Sequence, residues 1–111
     1  MAISEQVFNN RDNENILQFK FVGGDYIDFV DRGVTKIEVI IERFTLSSED
    51  GDVEFDNEGR VTFRLGHLGL KVSTYDSLKV AVYDAAHTSG QMIMNKGMPY
   101  SSATVSVYKG D

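Results

Sequence analysis

Apolar and polar residues alternate with a period of two along several short stretches of this chain, the pattern of strands that bury one face. Leu17, Phe19 and Phe21 alternate with Gln18 and Lys20, and Ile37, Val39 and Ile41 with Lys36, Glu38 and Glu42. The clearest case is Val61, Phe63 and Leu65 set against Arg60, Thr62 and Arg64; Leu78, Val80 and Val82 follow, then Val105 and Val107. The longest candidate strand runs from Val34 to Phe44, with Ile40 interrupting its polar face. Turn signals separate the runs. Gly23-Gly24-Asp25 predicts a hairpin into a second strand at Tyr26 to Val30, and Asp56-Asn57-Glu58-Gly59 predicts one joining Val53–Phe55 to the strand that starts at Arg60. Gly66 and Gly69 mark a tight turn after Leu65. About seven or eight short strands, with no convincing helix, predict an all-β fold: a single antiparallel β-sandwich of Ig-like type. Tyr75, just before the strand Ser77 to Asp84, stands where a tyrosine corner would send its hydroxyl back to an upstream backbone group; a surface tyrosine at a strand start is the other reading.

Residues 1–15 fit no such period. Val7 and Phe8 are isolated there among Asn, Asp, Glu and Arg, which predicts a flexible tail or an arm that orders on a partner, followed by one sandwich domain over residues 16–111. Near the other end Met92, Met94 and Met98 cluster. On a regular strand Met92 and Met94 share one face, so burial and a partner surface are both open to them. Val7, Phe8, Met92, Met94 and Met98 are therefore the partner-contact candidates.

Composition narrows the chemistry. With 111 residues, 41% of them hydrophobic, the chain suits one domain with a modest core. It has no cysteine, which removes disulfides, thiolate metal sites and cysteine nucleophiles and leaves the redox compartment unspecified. No apolar run reaches the roughly 18 residues of a membrane helix, and the start is polar rather than basic then apolar, so neither a membrane span nor a signal peptide is expected. The net charge is −6, and its excess acid lies in one place: Glu49, Asp50, Asp52, Glu54, Asp56 and Glu58 fall in a segment without a base. Elsewhere acids and bases balance at 11 each. Such a balance argues against binding nucleic acid, and it predicts one acidic hairpin that faces solvent or a basic partner.

No constellation supports catalysis. Asp84, His87 and Ser89 look like a triad in composition, but triads gather members from separate elements, and neighbours on one loop serve local turns instead. No Gly-rich phosphate cradle occurs, and the expected protein is not an enzyme and needs no cofactor. Asp50, Asp52 and Asp56, with Asn57, supply the oxygens that calcium prefers, but without the spacing of a helix-loop-helix site they are only weak metal candidates. Tyr26, Tyr83, Tyr100 and Tyr108 are the aromatics on which a carbohydrate-binding module would have to draw.

Three stretches carry a resemblance. "VTKIEV" (Val34 to Val39), "DNEGRVTFRLGHLGL" (Asp56 to Leu70) and "YDSLKVAVYDAAHTSGQMI" (Tyr75 to Ile93), in that order, resemble a group of small β-sandwich proteins encoded among the virion structural genes of tailed bacteriophages. Val82-Tyr83-Asp84-Ala85, with Gly90 five residues on, is the most specific part; Thr88 stands where that group often has proline, and the N-terminal third has no counterpart. The resemblance implies a non-catalytic virion component, of capsid-decoration or head-to-tail connector type. It would be located in the virion after assembly in the host cytoplasm, forming homo-oligomers and contacting major capsid, portal or tail subunits. The alternative is a ligand- or carbohydrate-binding β-sandwich module.

Overall fold

In the computed structural model, which describes residues 2–21, 23–95 and 102–110, ten short strands form three sheets. They are β1 (Ala2–Phe8), β2 (Asn15–Gln18), β3 (Lys36–Ile41), β4 (Phe44–Ser47), β5 (Val53–Phe55), β6 (Arg60–Phe63), β7 (Thr74–Tyr75), β8 (Lys79–Tyr83), β9 (Gln91–Met94) and β10 (Ser102–Tyr108). The sheet orders are β1-β10-β7, β2-β6-β5 and β4-β3-β8-β9. The all-β expectation holds, but the strands divide into three sheets rather than a closed pair, and β1 and β10 run parallel where an all-antiparallel arrangement was expected. No helix of the described residues is long and apolar enough to cross a membrane.

The three sheets share one core. Alternation along β3 buries Ile37, Val39 and Ile41, and β6 with its continuation buries Val61, Phe63 and Leu65 against them. Leu17 and Phe19 enter from the β2 side, Val80 and Met94 from β8 and β9, and Val105 and Val107 from β10. Each fully buried side chain of this size contributes about 1.5–3 kcal/mol relative to exposure, which is what holds three small sheets together.

The N-terminal segment departs from expectation. Instead of a tail or an arm ordered on a partner, residues 2–8 form β1, in register with β10 from Ala2↔Ser102 to Phe8↔Tyr108. Val7 is fully buried, and Asn15 Nδ2 reaches Glu5 Oε1 and the Gln6 carbonyl, both at 3.2 Å, tying β2 to β1. Its apolar residues, Ala2, Ile3, Val7 and Phe8, fall in adjacent pairs at the two ends and gave no period to read; the segment is fixed by its strand partner, not by its own pattern.

The candidate strand from Val34 to Phe44 breaks at Glu42, which turns the chain at φ 51° so that β4 folds back on β3, pairing Ile41 with Phe44. The hairpin at Gly23-Gly24-Asp25 forms only in part. Lys20 and Tyr26 make one isolated bridge, and Val30 lies in a turn rather than a strand. The β5–β6 hairpin is as expected; Asp56 Oδ1 accepts from the backbone N–H groups of Glu58 (2.8 Å) and Arg60 (3.0 Å) across its turn. Tyr75 Oη donates to the Lys71 carbonyl at 2.8 Å, the bond of the tyrosine-corner reading rather than of a free surface tyrosine.

The acidic segment is not a projecting hairpin of unpaired carboxylates. Its residues divide between a 3-10 turn (Ser48–Asp50), β5 and the turn before β6, and bases from elsewhere in the chain reach four of them. Lys36 lies 3.6 Å from Glu49, Arg64 3.6 Å from Glu54 and Arg60 3.2 Å from Asp56, and Arg60 also binds Glu58. Exposed pairs of this kind contribute about 0–1 kcal/mol each, enough to relieve repulsion without governing the fold.

Candidate functional site

One concavity lies between residues 21–34 and the β8–β9 end of the four-stranded sheet. Residues 28–34 make a compact turn: Arg32 N–H donates to the Asp28 carbonyl (3.1 Å), Asp31 N–H to Asp28 Oδ1 (2.8 Å) and Val34 N–H to the Phe29 carbonyl (3.1 Å). Phe29 anchors this turn in the core, edge-on to Phe19 at 6.3 Å and Phe55 at 6.2 Å. With Phe29 pointing inward, Phe21, Tyr26 and Val30 are left exposed. The groove that results has a volume of about 190 Å³, with Phe21, Ile27 and Ile93 as apolar walls and Arg32, Asp84 and Gln91 as its polar members. The Arg32 guanidinium sits 5.3 Å from the centre of the Phe21 ring. A groove whose exposed lining is about equally polar and apolar suits a peptide side chain or a small ligand rather than bond-making chemistry.

Asp84 at its rim is engaged by its own turn. Its Oδ1 accepts from the Ala86 N–H (3.0 Å) and the His87 N–H (2.8 Å) and lies 2.8 Å from His87 Nδ1. The hydrogen bond from the His87 side chain is the chief reason the carboxyl is held below its ordinary value, despite the opposing effect of burial. Among the described residues no hydroxyl joins this pair, so Asp84, His87 and Ser89 form a turn and not an aligned triad. His67 instead meets Asp12 in solvent, Nε2 to Oδ1 at 2.8 Å.

On the outer face of the same sheet Lys36 lies between carboxylates, 3.8 Å from Glu38 and 3.6 Å from Glu49, with its Nζ 4.1 Å from the Tyr83 ring centre. Tyr83 Oη donates to Glu38, and that bond, ahead of burial, raises the phenol above its usual range. The ring also packs against Gly90, where a Cβ would come within 2.7 Å of Cζ. Tyr83 is thus a structural side chain, unavailable as a sugar-stacking platform.

The partner-contact candidates separate. Met94 is fully buried while Met92 is 39% exposed, because a β-bulge between Val80 and Ala81 shifts the pairing and sends the two methionines to different environments. Val7 is buried as well, so neither Val7 nor Met94 can touch a partner. Phe8 is exposed and stacks on Tyr108, ring centres 5.3 Å apart and planes at 27°. Met98 and Tyr100 lie outside the described residues. Asp50 and Asp52 flank Gly51 after the 3-10 turn, whereas Asp56 is committed to its own turn and Arg60, so the calcium candidates do not converge. No group of three or more His, Asp or Glu that could hold a metal ion occurs among the described residues.

Two features lay outside the sequence reading. Exposure of Phe21 and Val30 follows from the turn around Phe29, for which the only signal is Gly33 at positive φ. A second recess of about 290 Å³ lies between the β3–β4 turn and residues 69–75, lined in part by Arg43, Phe44, Lys71 and Tyr75. No family model matches the chain, and no curated protein and no solved structure resembles it significantly.

Proposed function

We propose that this chain is a non-catalytic structural subunit of a tailed-phage virion, of decoration or connector type, that acts through protein contacts. The observation that carries the reading is β9. Among the described residues it is an edge strand of the four-stranded sheet, carries the exposed Met92, and borders the groove through Gln91 and Ile93. An open strand edge beside a groove is the arrangement used for strand addition, in which main-chain hydrogen bonds supply affinity and pockets supply choice of side chain. The resemblance of Val34 to Ile93 to phage virion proteins supplies the biological setting. On the same reading, the four-stranded sheet and the two smaller ones are the halves of an Ig-like sandwich that opens along β1.

The carbohydrate-module alternative has less support, since Tyr83 is bound to Glu38 and Tyr108 stacks on Phe8. Mass spectrometry of purified particles tests the proposal. The chain is expected as a stoichiometric component, and its absence from mature particles overturns the reading.

A further inference from the structure

The cations of this acidic chain are unequally used. Lys36, Arg60 and Arg64 are all paired with carboxylates, but Arg43 and Lys71, on the rim of the second recess, form no ion pair among the described residues. The Arg43 side chain and the backbone that carries Lys71 are held in place. The Arg43 guanidinium lies 4.9 Å from the Phe44 ring centre. Residues 70 and 71 are pinned by two bonds to their carbonyls, from Asn9 Nδ2 to Leu70 and from Tyr75 Oη to Lys71, each 2.8 Å. Glu42, the acidic member of the lining, accepts from the Ser77 hydroxyl at 3.0 Å. With Arg43 and Lys71 against the single carboxylate of Glu42, the recess keeps an excess of positive charge above an aromatic floor, a setting that favours carboxylates.

Two carboxylates of the chain are equally unused. Asp50 and Asp52 make no ion pair among the described residues, and they flank Gly51, around which there is open space. Their tip is rigid. Ser47 Oγ accepts from the Glu49 N–H (3.2 Å), Ser48 Oγ from the Ile37 N–H (3.0 Å), and the Asp52 N–H donates to the Ser47 carbonyl (3.2 Å). A pre-ordered tip loses little entropy when it docks. Recess and tip sit at opposite ends of β4, with Arg43 just before the strand and Asp50 shortly after it, so they are directed apart in one molecule.

We propose that the Asp50-Gly51-Asp52 tip of one copy docks in the Arg43/Lys71 recess of a second copy of this chain, linking copies head to tail. The inference rests on the reading of the chain as an assembly subunit and names the contact by which copies associate. Because the two surfaces differ, the contact is heterologous and extends into rings or filaments, not closed two-fold dimers.

Sedimentation velocity on the purified chain tests this with two charge-reversed variants, R43E/K71E and D50K/D52K. The wild type is expected to associate with rising concentration at low salt and to dissociate at about 0.5 M salt, where screening shortens to a few ångströms. Each variant alone, folded by thermal melt, should associate about tenfold or more weakly. An equimolar mixture should regain association, because each reversed surface then meets its complement. A monomeric wild type, or a mixture of folded variants that stays monomeric, overturns the proposal. Should either reversal fail to fold, R43Q/K71Q and D50N/D52N replace the pair, each expected to weaken association; unchanged association then overturns it. Particle mass spectrometry addresses the virion assignment separately, so the two can fail independently.

Discussion

Tyr83 on β8 donates its hydroxyl to Glu38 on β3 at 2.5 Å, a diagonal pair on the outer face of the sheet, since Tyr83 stands opposite Lys36 and Glu38 opposite Ala81. The bond uses the neutral phenol, and ionisation would place two negative charges together. The native hydroxyl therefore titrates above the ordinary value of 10.0. Its stabilisation is complete below that value and is lost as pH rises through the higher native one. Ultraviolet difference titration should show one late-ionising tyrosine that moves down toward 10.0 in Glu38→Gln. Tyr83→Phe should lower stability at neutral pH by at most about 1 kcal/mol, the worth of one solvent-accessible hydrogen bond.

Asp84 follows the opposite sign. Its carboxyl is depressed below the ordinary 3.8, first by the hydrogen bond from His87, so its contribution is present above that value and is lost as pH falls through the native one. Carboxyl-carbon NMR titration of His87→Ala should move Asp84 up toward 3.8. An unchanged titration would mean that backbone N–H groups, not the imidazole, stabilise the charge.

The two methionines of β9 should differ sharply. Met94→Ala empties a fully buried position and is expected to cost about 2–5 kcal/mol in chemical denaturation. Met92→Ala, at the exposed position, should change stability by less than about 0.5 kcal/mol. Similar losses at both would contradict the bulge that separates them.

Glycine substitutions distinguish strain from collision. At Gly51, φ is 81° and a methyl group meets nothing, so Gly51→Ala should lose only the left-handed backbone penalty of about 1–2 kcal/mol. At Gly59, φ is 75° and the added carbon would lie 2.1 Å from the Phe19 carbonyl oxygen, so Gly59→Ala must also displace the strand beside it. Its loss should exceed that of Gly51→Ala by more than about 1 kcal/mol in thermal or urea unfolding.

Local pattern identified the elements whose fate is decided locally. The β5–β6 hairpin and the buried set Ile37, Val39, Val61 and Phe63 follow from periodicity and turn chemistry that a short window contains. What escaped depends on distant partners or on unmarked backbone. The pairing of β1 with β10 joins Ala2 to Ser102, and nothing near either residue announces it. The break at Glu42 uses a positive φ without glycine, and the bulge opposite Met92 leaves no compositional trace. The candidate contacts suffered accordingly. Val7 and Met94 looked available because their strands could not be placed against the core, whereas the exposure of Phe21 and Val30 is a by-product of Phe29 turning inward.

The parallel clasp of β1 and β10 also decides how the molecule bears tension. A pull applied through Ala2 on one side and Tyr108 on the other acts along the two strands in opposite senses, so the hydrogen bonds between them are loaded in shear and share the strain. They cannot open one after another, as in a hairpin drawn apart from its ends. β1 and β10 therefore act as a mechanical latch, and the sheets behind it feel the load only after the latch has slid.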